Sequence, residues 1–556
     1  MSDISPIHPL TRKLLLSRGM KTDEAIRRFI APDYERDIYD PFLILHMERA
    51  VARILEAIKE EEHIVIYGDY DCDGIPGSVV LHDFFAKIGY AHFSNYIPHR
   101  HHEGYGLNKD AIEHFASEGV ALIITVDCGI TDVDEVALAQ DLGIDVIVTD
   151  HHLPQAILPP AYAIINSKQD GDTYPDPMLC GAGVAFKLVQ ALLLRGKFEG
   201  VGMGWEKWLL DMAGLATIAD MVPLQNENRV LAYYGLKVLR KSPRPGLQAL
   251  LKKAAIDQRY LTEEDVGFTI GPRINAASRM YIPFHAFEML ATSDVVLATE
   301  RALYLDKLND TRKLEVARMT KEAKKLLHNR DLREVIVVGN PSWRVGVVGI
   351  VANKLVEEFD RPAFVWGKEG STHIKGSCRS DGRVNIVELM VAVREGVFLD
   401  KGGHEFSGGF SVATEHVHYL EDELVKAHHL IIKKESKPEA YTIDAPLPLS
   451  SVNEETFQAI DLLAPFGVGN PKPHFLISGA RIVESNQFGK EKNHLRLIFG
   501  DGVGTRVPAL GFFMSPEDFP EIDLSLGREI DIVATLEKSY FRGRPELRLR
   551  IIDIRK

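Results

Sequence analysis

The chain has 556 residues, 45% hydrophobic and 26% charged, with a formal net charge of −14. That length exceeds one ordinary core and predicts about three or four domains. The acidic balance excludes a uniformly basic nucleic-acid binder, though not a local basic groove or a bound cation. Cys72, Cys128, Cys180 and Cys378 are scattered with no Cys-x-x-Cys pair, which argues against a zinc knuckle or disulfide framework and fits a reducing cytoplasm. The opening residues lack a signal-peptide layout and no apolar stretch is long enough to span a bilayer, so a cytoplasmic protein is expected.

Residues 1–44 read as short helices packed on a later domain, broken at Ala31-Pro-Asp33. Val51, Ile54, Leu55 and Ile58 recur at helical spacing within 46–60, and His63-Ile-Val-Ile-Tyr67 then reads as a buried strand. The loop that follows, Gly68-Asp-Tyr-Asp-Cys-Asp-Gly74, crowds Asp69, Asp71 and Asp73 together. Like charges at that spacing raise one another's pKa, so the cluster is costly without a cation or strong donors. A plain Asp- and Gly-rich turn is the alternative for this loop taken alone.

A helix is predicted from 77 to 89, followed by a strand and a loop holding His99, Arg100, His101 and His102. The adjacency of these residues suits phosphate contact better than a closed metal shell. Further strands at 121–126 and 145–149 end in Asp127 and in Asp150-His151-His152, with helical segments between them. Alternation of strand and helix predicts a parallel sheet, and right-handed crossovers bring the carboxyl ends of its strands to one edge. Asp69, Asp71, Asp73, Asp127, Asp150, His151 and His152 would share that edge. Mixed carboxylate and imidazole ligands suit Mn²⁺ and tolerate Mg²⁺, and the number of acids allows two divalent ions.

Asp220 closes an apolar helix, where a helix-terminal acid facing water is the simpler reading. Gly181-Ala-Gly-Val-Ala-Phe186 lacks a preceding strand and is not read as a dinucleotide loop. Arg273, Asn275 and Arg279 lie in a compact polar segment, 271–279, with anion or base contacts and a solvated cap as the two readings. Residues 294–329 contain neither Pro nor Gly and predict one long helix bridging two lobes. A second α/β unit starts at 334. Its loops 375–380 and 402–409 offer backbone N–H groups together with Ser377, Arg379 and His404 as anion donors, or are simply surface turns. After the charged stretch 433–438, short strands predict a small β-barrel whose last strands carry Lys538, Tyr540, Phe541, Arg542, Arg544, Arg548 and Arg550.

Taken in order, Gly68–Gly74, Glu103-Gly-Tyr-Gly-Leu107, Val126-Asp-Cys-Gly129, Thr149-Asp-His-His152, the Gly-Gly-His segment at 404 and Pro465-Phe-Gly-Val-Gly-Asn-Pro471 resemble the DHH phosphoesterase family, in particular its bacterial single-stranded-DNA exonucleases. The resemblance runs from Tyr67 to the C-terminal barrel. It implies an N-terminal helical segment (1–44), a parallel-sheet DHH catalytic domain (45–293), a connecting helix (294–330), an α/β DHH-associated substrate domain (331–435) and an OB-fold β-barrel (441–556). It further implies that Asp71, Asp73, Asp127, His151 and Asp220 bind a metal pair with Asp127 bridging, while Asp69 and Asp150 support or ligate. His152 would touch the scissile phosphate. Ser377, Arg379 and Arg100 would grip the 5′ end, His404 would hold phosphate, and Arg273, Asn275 and Arg279 would follow the strand.

The activity implied is 5′-to-3′ hydrolysis of single-stranded DNA to 5′-mononucleotides in repair and recombination, by a monomer. A single-stranded-DNA-binding protein and a RecQ-type helicase are the partners the resemblance implies. Two rivals stand beside it: a phosphoesterase of short oligonucleotides, cyclic dinucleotides or pyrophosphate, and a non-hydrolytic DNA-binding scaffold. The chain departs from the family pattern at Ser278, Arg344, Cys378 and Ser407.

Overall fold

The computed structural model of the protein describes residues 7–328, 330–369, 372–431, 441–489, 492–500, 504, 506–540 and 545–555. The expected linker 433–438 and barrel residues Phe541, Arg542 and Arg544 lie outside the described residues. No helix among the described residues is long and apolar enough to cross a membrane.

The first sheet is five-stranded and wholly parallel. It comprises β1 (His63–Gly68), β2 (Phe93–Tyr96), β3 (Val120–Val126), β4 (Asp145–Thr149) and β5 (Ala163–Ile165), in the order β2-β1-β3-β4-β5. Strand alternation sends Ile64, Ile66, Leu122 and Ile147 into one helical layer and Val65, Tyr67, Ile123 and Val146 into the other. This two-sided burial explains the near-continuous apolar runs. In this strand order the topological switch lies between β1 and β3, where open α/β sheets leave a crevice at their carboxyl edge. Asp69 and Asp127 immediately follow those two strands.

The predicted helices are present at Met47–Lys59 and Gly74–Lys87, the second beginning three residues before its expected start. The polar segment at 271–279 forms the helix Gly271–Met280, with Pro272 in its first turn, where a missing N–H costs nothing. The long helix is observed at Val295–His328 and packs against the helices Pro245–Lys253, Gly271–Met280 and Val345–Phe359, so it joins the two lobes.

The second sheet contains β6 (Ile336–Gly339), β7 (Ala363–Gly367), β8 (Ile374–Arg379), β9 (Phe398–His404) and β10 (Ser407–Val412), ordered β6-β7-β8-β10-β9. Only β6 and β7 are parallel, and β9–β10 form a glycine-rich hairpin. The C-terminal sheet comprises β11 (Ala445–Pro446), β12 (Phe475–Phe488), β13 (His494–Gly500), β14 (Arg506–Gly511), β15 (Glu529–Ser539) and β16 (Glu546–Arg555). Its pairings run β12–β13–β14–β16–β15 and return from β15 to β12.

The N-terminal residues divide between two cores. Leu14, Leu15, Ile26 and Phe29 are buried with the C-terminal strands, whereas Tyr34 and Ile44 join the first lobe. Buried Arg229 ties these parts together by donating to the carbonyls of Phe29 (2.8 Å), Leu463 (3.0 Å) and Ala464 (3.0 Å). The Pro465–Pro471 motif docks on the segment after Asp220, where Leu224 N–H donates to Val468 O at 2.8 Å.

Candidate metal centre and phosphate cleft

The sheet ladder carries the acids to one place. Asp69 N–H donates to Val126 O, Asp127 N–H to Thr149 O and Asp150 N–H to Ile165 O, so each strand-end residue remains tied to the next strand. Asp69, Asp73, Asp127 and Asp150 are all buried, as is His151. Asp127 has φ +64°, a left-handed conformation uncommon for a residue with a side chain and typical of functional strain. Two glycines permit the crowding: a Cβ on Gly74 would lie 2.6 Å from Asp69 O, and one on Gly181 would lie 2.5 Å from Asp127 Cβ.

Three groups of side chains offer ligand atoms close enough to share a cation: Asp69, Asp71 and Asp127; Asp73, His151 and Asp220; and Asp127, His151 and His152. His151 Nε2 lies 3.1 Å from Asp127 Oδ1, 3.6 Å from Asp73 Oδ2 and 3.8 Å from Asp220 Oδ2. Asp69 Oδ1, Asp127 Oδ1 and His151 Nδ1 are nevertheless buried without a hydrogen-bond partner. Orphaned carboxylate oxygens in a protein interior are costly, and a divalent cation satisfies them. The donor set therefore fits such an ion.

The electrostatics agree. Burial, then the charge of Asp71, pushes Asp73 up to about 6. Burial, then Asp73 and Asp71, pushes Asp220 up to about 8. Burial and neighbouring acids hold Asp69 and Asp127 well above the usual carboxylate range. Asp220 thus faces the acid cluster and not, as the simpler reading of its position expects, only water.

The acids are not equivalent. Asp71 Oδ1 accepts the N–H groups of Asp73 (2.7 Å) and Gly74 (3.2 Å), which fixes the loop into the following helix. Asp73 accepts N–H groups from Gly181 (2.6 Å) and Ala182 (2.7 Å) at the start of the helix Gly181–Arg195. The segment set aside as a dinucleotide loop is therefore an anion-binding helix start whose anion is the protein's own Asp73. Asp150 accepts from the N–H groups of Ile130 (3.0 Å), His151 (2.7 Å) and His152 (3.1 Å) and from His152 Nδ1 (2.8 Å). Burial opposes ionisation of Asp150, but its bonds to His152 hold its pKa below the ordinary value. Burial likewise disfavours charge on His152, yet the Asp150 contact raises its pKa to about 9.

The sequence reading gave Tyr105 no role, although its motif stood out. Its hydroxyl lies 3.0 Å from Asp127 O, to which it donates, and 3.0 Å from His152 Nδ1. Asn166 and Lys168, after β5, also escaped notice: Asn166 Nδ2 donates to His152 O at 2.9 Å and Lys168 Nζ donates to His151 O. An isolated Tyr, Asn or Lys carries no spacing signal, so only the strand-end position of Asn166 and Lys168 could have pointed to them.

Opposite the acids, the second lobe closes a cleft of about 1380 Å³ lined by Arg100, His152, Arg344, Ser377 and His404. The His152 and His404 rings stack across it with centroids 6.3 Å apart. Arg279 Nη1 donates to Gly346 O (3.1 Å) and Arg344 Nη1 to Met280 O (3.2 Å), which latches the lobes together. Burial lowers the pKa of Arg279 to about 9, and the nearby charges of Arg100, Arg312 and Arg379 contribute to that fall. Among the described residues, none of these four arginines makes an ion pair. Gly349 lets the first turns of the helix Val345–Phe359 approach Ser377 and Arg379 closely.

Two residues expected along a strand already have protein partners. Arg273 pairs with Asp306 at 2.9 Å, and Asn275 Oδ1 accepts Cys72 N–H at 2.8 Å, holding the acidic loop. Of His99, His101 and His102, His101 Nε2 lies 3.3 Å from Arg279 O. The departures are accommodated locally: Ser278 donates to Asn275 O, Arg344 pairs with Glu369, Cys378 is buried near Met390, and Ser407 pairs with His404 in the hairpin.

Comparison with known proteins matches residues 63–218 to the DHH family N-terminal domain, 333–433 to the DHHA1 domain and 443–553 to the RecJ OB domain. The chain is 37% identical over 549 residues to the single-stranded-DNA-specific exonuclease RecJ of Bacillus subtilis, covering 98% of this chain and 68% of that protein. It is 32% identical to the protein of the same name from Haemophilus influenzae, covering 98% and 96%. The crystal structure of RecJ in complex with Mn²⁺ from Thermus thermophilus superposes with a TM-score of 0.81 at 28% identity, covering 99% of this chain and 76% of that one. A Mg²⁺ complex from the same organism gives 0.74 at 26% identity, covering 99% and 75%.

Proposed function

The chain belongs to the RecJ family of single-stranded-DNA-specific exonucleases, and on that premise we propose how its cleft performs the reaction. The protein is a metal-dependent exodeoxyribonuclease of single-stranded DNA that uses Mn²⁺ or Mg²⁺. The observation that carries the site reading is the pairing of orphaned buried carboxylates with unpaired arginines in one cleft. The first set needs a cation and the second an anion, and a phosphodiester bound through divalent ions satisfies both.

Asp71, Asp73, Asp127, His151 and Asp220 would hold two ions, with Asp69 completing the set. Divalent ions at such a site acidify water and offset charge on phosphate oxygens during in-line displacement. Asp150 serves as a positioning residue: its oxygens are already used, and by accepting the Nδ1–H bond it keeps His152 cationic with Nε2–H free to donate to the scissile phosphate. Ser377, Arg379 and Arg100 would hold the terminal 5′-phosphate, with His404 on a neighbouring phosphate, so the strand enters by its 5′ end and yields 5′-mononucleotides. Arg279 would follow the strand, while Arg273 and Asn275 act through the protein contacts described above.

The domain division 45–293, 294–330, 331–435 and 441–556 follows the same reading, with 1–44 shared between lobes. Cytoplasmic action as a monomer, beside a single-stranded-DNA-binding protein and a RecQ-type helicase in repair and recombination, rests on family resemblance. Nuclease assays on strands blocked at one end or the other, with Mn²⁺ or Mg²⁺, test the polarity. Digestion is expected only from a free 5′ end, and digestion from a free 3′ end would overturn the assigned orientation.

A further inference from the structure

The acid edge of the first sheet carries one cation that the metal-and-arginine scheme leaves unused. β5 ends at Ile165, and the turn after it is fastened beneath the two histidines. Asn166 Oδ1 accepts Lys168 N–H at 2.9 Å, Asn166 Nδ2 donates to His152 O at 2.9 Å, and Lys168 Nζ donates to His151 O. The Lys168 side chain is half-buried and makes no ion pair among the described residues. An ammonium has three N–H donors, and the carbonyl of His151 takes one.

Burial lowers the pKa of Lys168 while the charges of Asp220, Asp150 and Asp127 oppose that, and Lys168 in turn bears on His404 and His151. Lys168 Nζ sits on the carbonyl of His151, whose ring faces Asp73, Asp127 and Asp220. A cation among several acids that nevertheless forms no ion pair is suited to an anion arriving with the substrate.

We propose that Lys168 contacts the non-bridging oxygens of the scissile phosphate. This rests on the orientation given under Proposed function. In hydrolysis a water oxygen forms the new P–O bond, the P–O3′ bond breaks, the water releases a proton and O3′ takes one up. The phosphate therefore remains on the retained strand as its new 5′ end. Lys168 holds that phosphate while the terminal nucleotide, gripped at its own 5′-phosphate near Arg100, departs. A purely structural role, bracing the His151 carbonyl and through it the metal centre, makes different predictions.

The test uses the full chain with Lys168→Gln, which can still donate to His151 O but lacks charge, and Lys168→Arg, which restores the charge. Binding of single-stranded DNA is measured by fluorescence anisotropy without divalent ions across a salt series. Single-turnover hydrolysis and Mn²⁺ binding by calorimetry are measured in parallel. For Lys168→Gln the slope of log K against log salt is expected to lose about 0.7, the value for one phosphate contact on a single strand. Hydrolysis should slow about tenfold or more, equally on 5′-phosphoryl and 5′-hydroxyl ends, with Mn²⁺ affinity unchanged and Lys168→Arg close to wild type. An unchanged salt slope, or a loss confined to Mn²⁺ affinity, would overturn the proposal in favour of the brace. Wild-type protein that degrades strands from the 3′ end would refute the assigned orientation instead, and the metal-free salt slope would still report whether Lys168 touches phosphate.

Discussion

At the carboxyl edge of the first sheet, Asp69, Asp73, Asp127 and Asp150 are at most 4% exposed. Across the cleft, the β9 strand that carries His404 is exposed along nearly all its length. The acid side is built by parallel strands, helix starts and a left-handed Asp127, all of which fix carboxylates before any ligand arrives. The other side is an antiparallel hairpin on an open sheet edge, beside arginines that repel one another. The contrast follows from the ligands each side fits. A small ion is recognised by rigid, desolvated ligands held within tenths of an ångström, whereas a polyanionic strand must slide and is better met by accessible donors and long-range charge.

Removing the acid that serves two of the cation-sized groups should separate the sides most sharply. Asp127→Ala is expected to lower single-turnover hydrolysis by about 1000-fold or more, since the effect of a catalytic ion is worth several kcal/mol. Metal-free DNA affinity should change little, and near-normal hydrolysis at saturating Mn²⁺ would break the assignment. On the facing side, Arg379→Ala removes a charge-assisted contact worth about 1.5–3 kcal/mol. It should erase about 10- to 100-fold of any preference for 5′-phosphorylated over 5′-hydroxyl ends while leaving Mn²⁺ affinity intact. Equal losses on both ends would mean that Arg379 does not read the terminal phosphate.

A pH series probes the acid side without mutation. Asp73 and Asp220, raised to about 6 and about 8 from the ordinary 3.8, keep protons in the metal-free fold that the unfolded chain has already lost. The folded state binds more protons across that window, so metal-free stability falls as pH rises from about 4 through about 8. Divalent ions replace those protons. The increase in Tm produced by a fixed excess of Mg²⁺ should therefore be larger at pH 8 than at pH 6, the underlying stabilisation being about 2.7 kcal/mol per site where Mg²⁺ is at one hundred times its Kd. An increment independent of pH would show that these acids do not exchange protons for metal. The smallest effect is expected from Asn275→Ala, which frees Cys72 N–H in the acidic loop. Loss of about 1 kcal/mol of positioning should raise the Mn²⁺ concentration for half-maximal rate about fivefold, with the maximal rate nearly retained.

Much of this site is legible in one dimension. The apolar runs before Asp69, Asp127 and Asp150 identify buried parallel strands, and the βα alternation places their ends together. The second lobe's Ser377, Arg379 and His404 are likewise marked by glycine-rich segments, although these form the strands β8 and β9 and not the expected loops. Less legible were the roles of Asp150, Tyr105, Asn166 and Lys168. Their meaning lies in hydrogen bonds to backbone groups of His151, His152 and Asp127, and a carbonyl looks the same in every sequence. Asn275 and Arg273 were visible as polar residues, but their partners, Cys72 N–H and Asp306, are 203 and 33 residues away.

The amino-acid sequence by itself determined the parallel sheet, the long connecting helix, the strand-rich C-terminal domain and the set of acids at one edge, because periodicity and turn chemistry are local properties. Only the tertiary structure decided which of those acids remain unsatisfied. Asp150 is saturated by N–H donors and by His152, Asp73 is met by the helix start at Gly181, and Asp69 and Asp127 keep orphaned oxygens. The same holds for residues 1–44, whose first two helices fold onto the C-terminal strands more than 400 residues away. Such pairings depend on desolvation and on donors from distant segments, and both exist only once the chain has closed on itself.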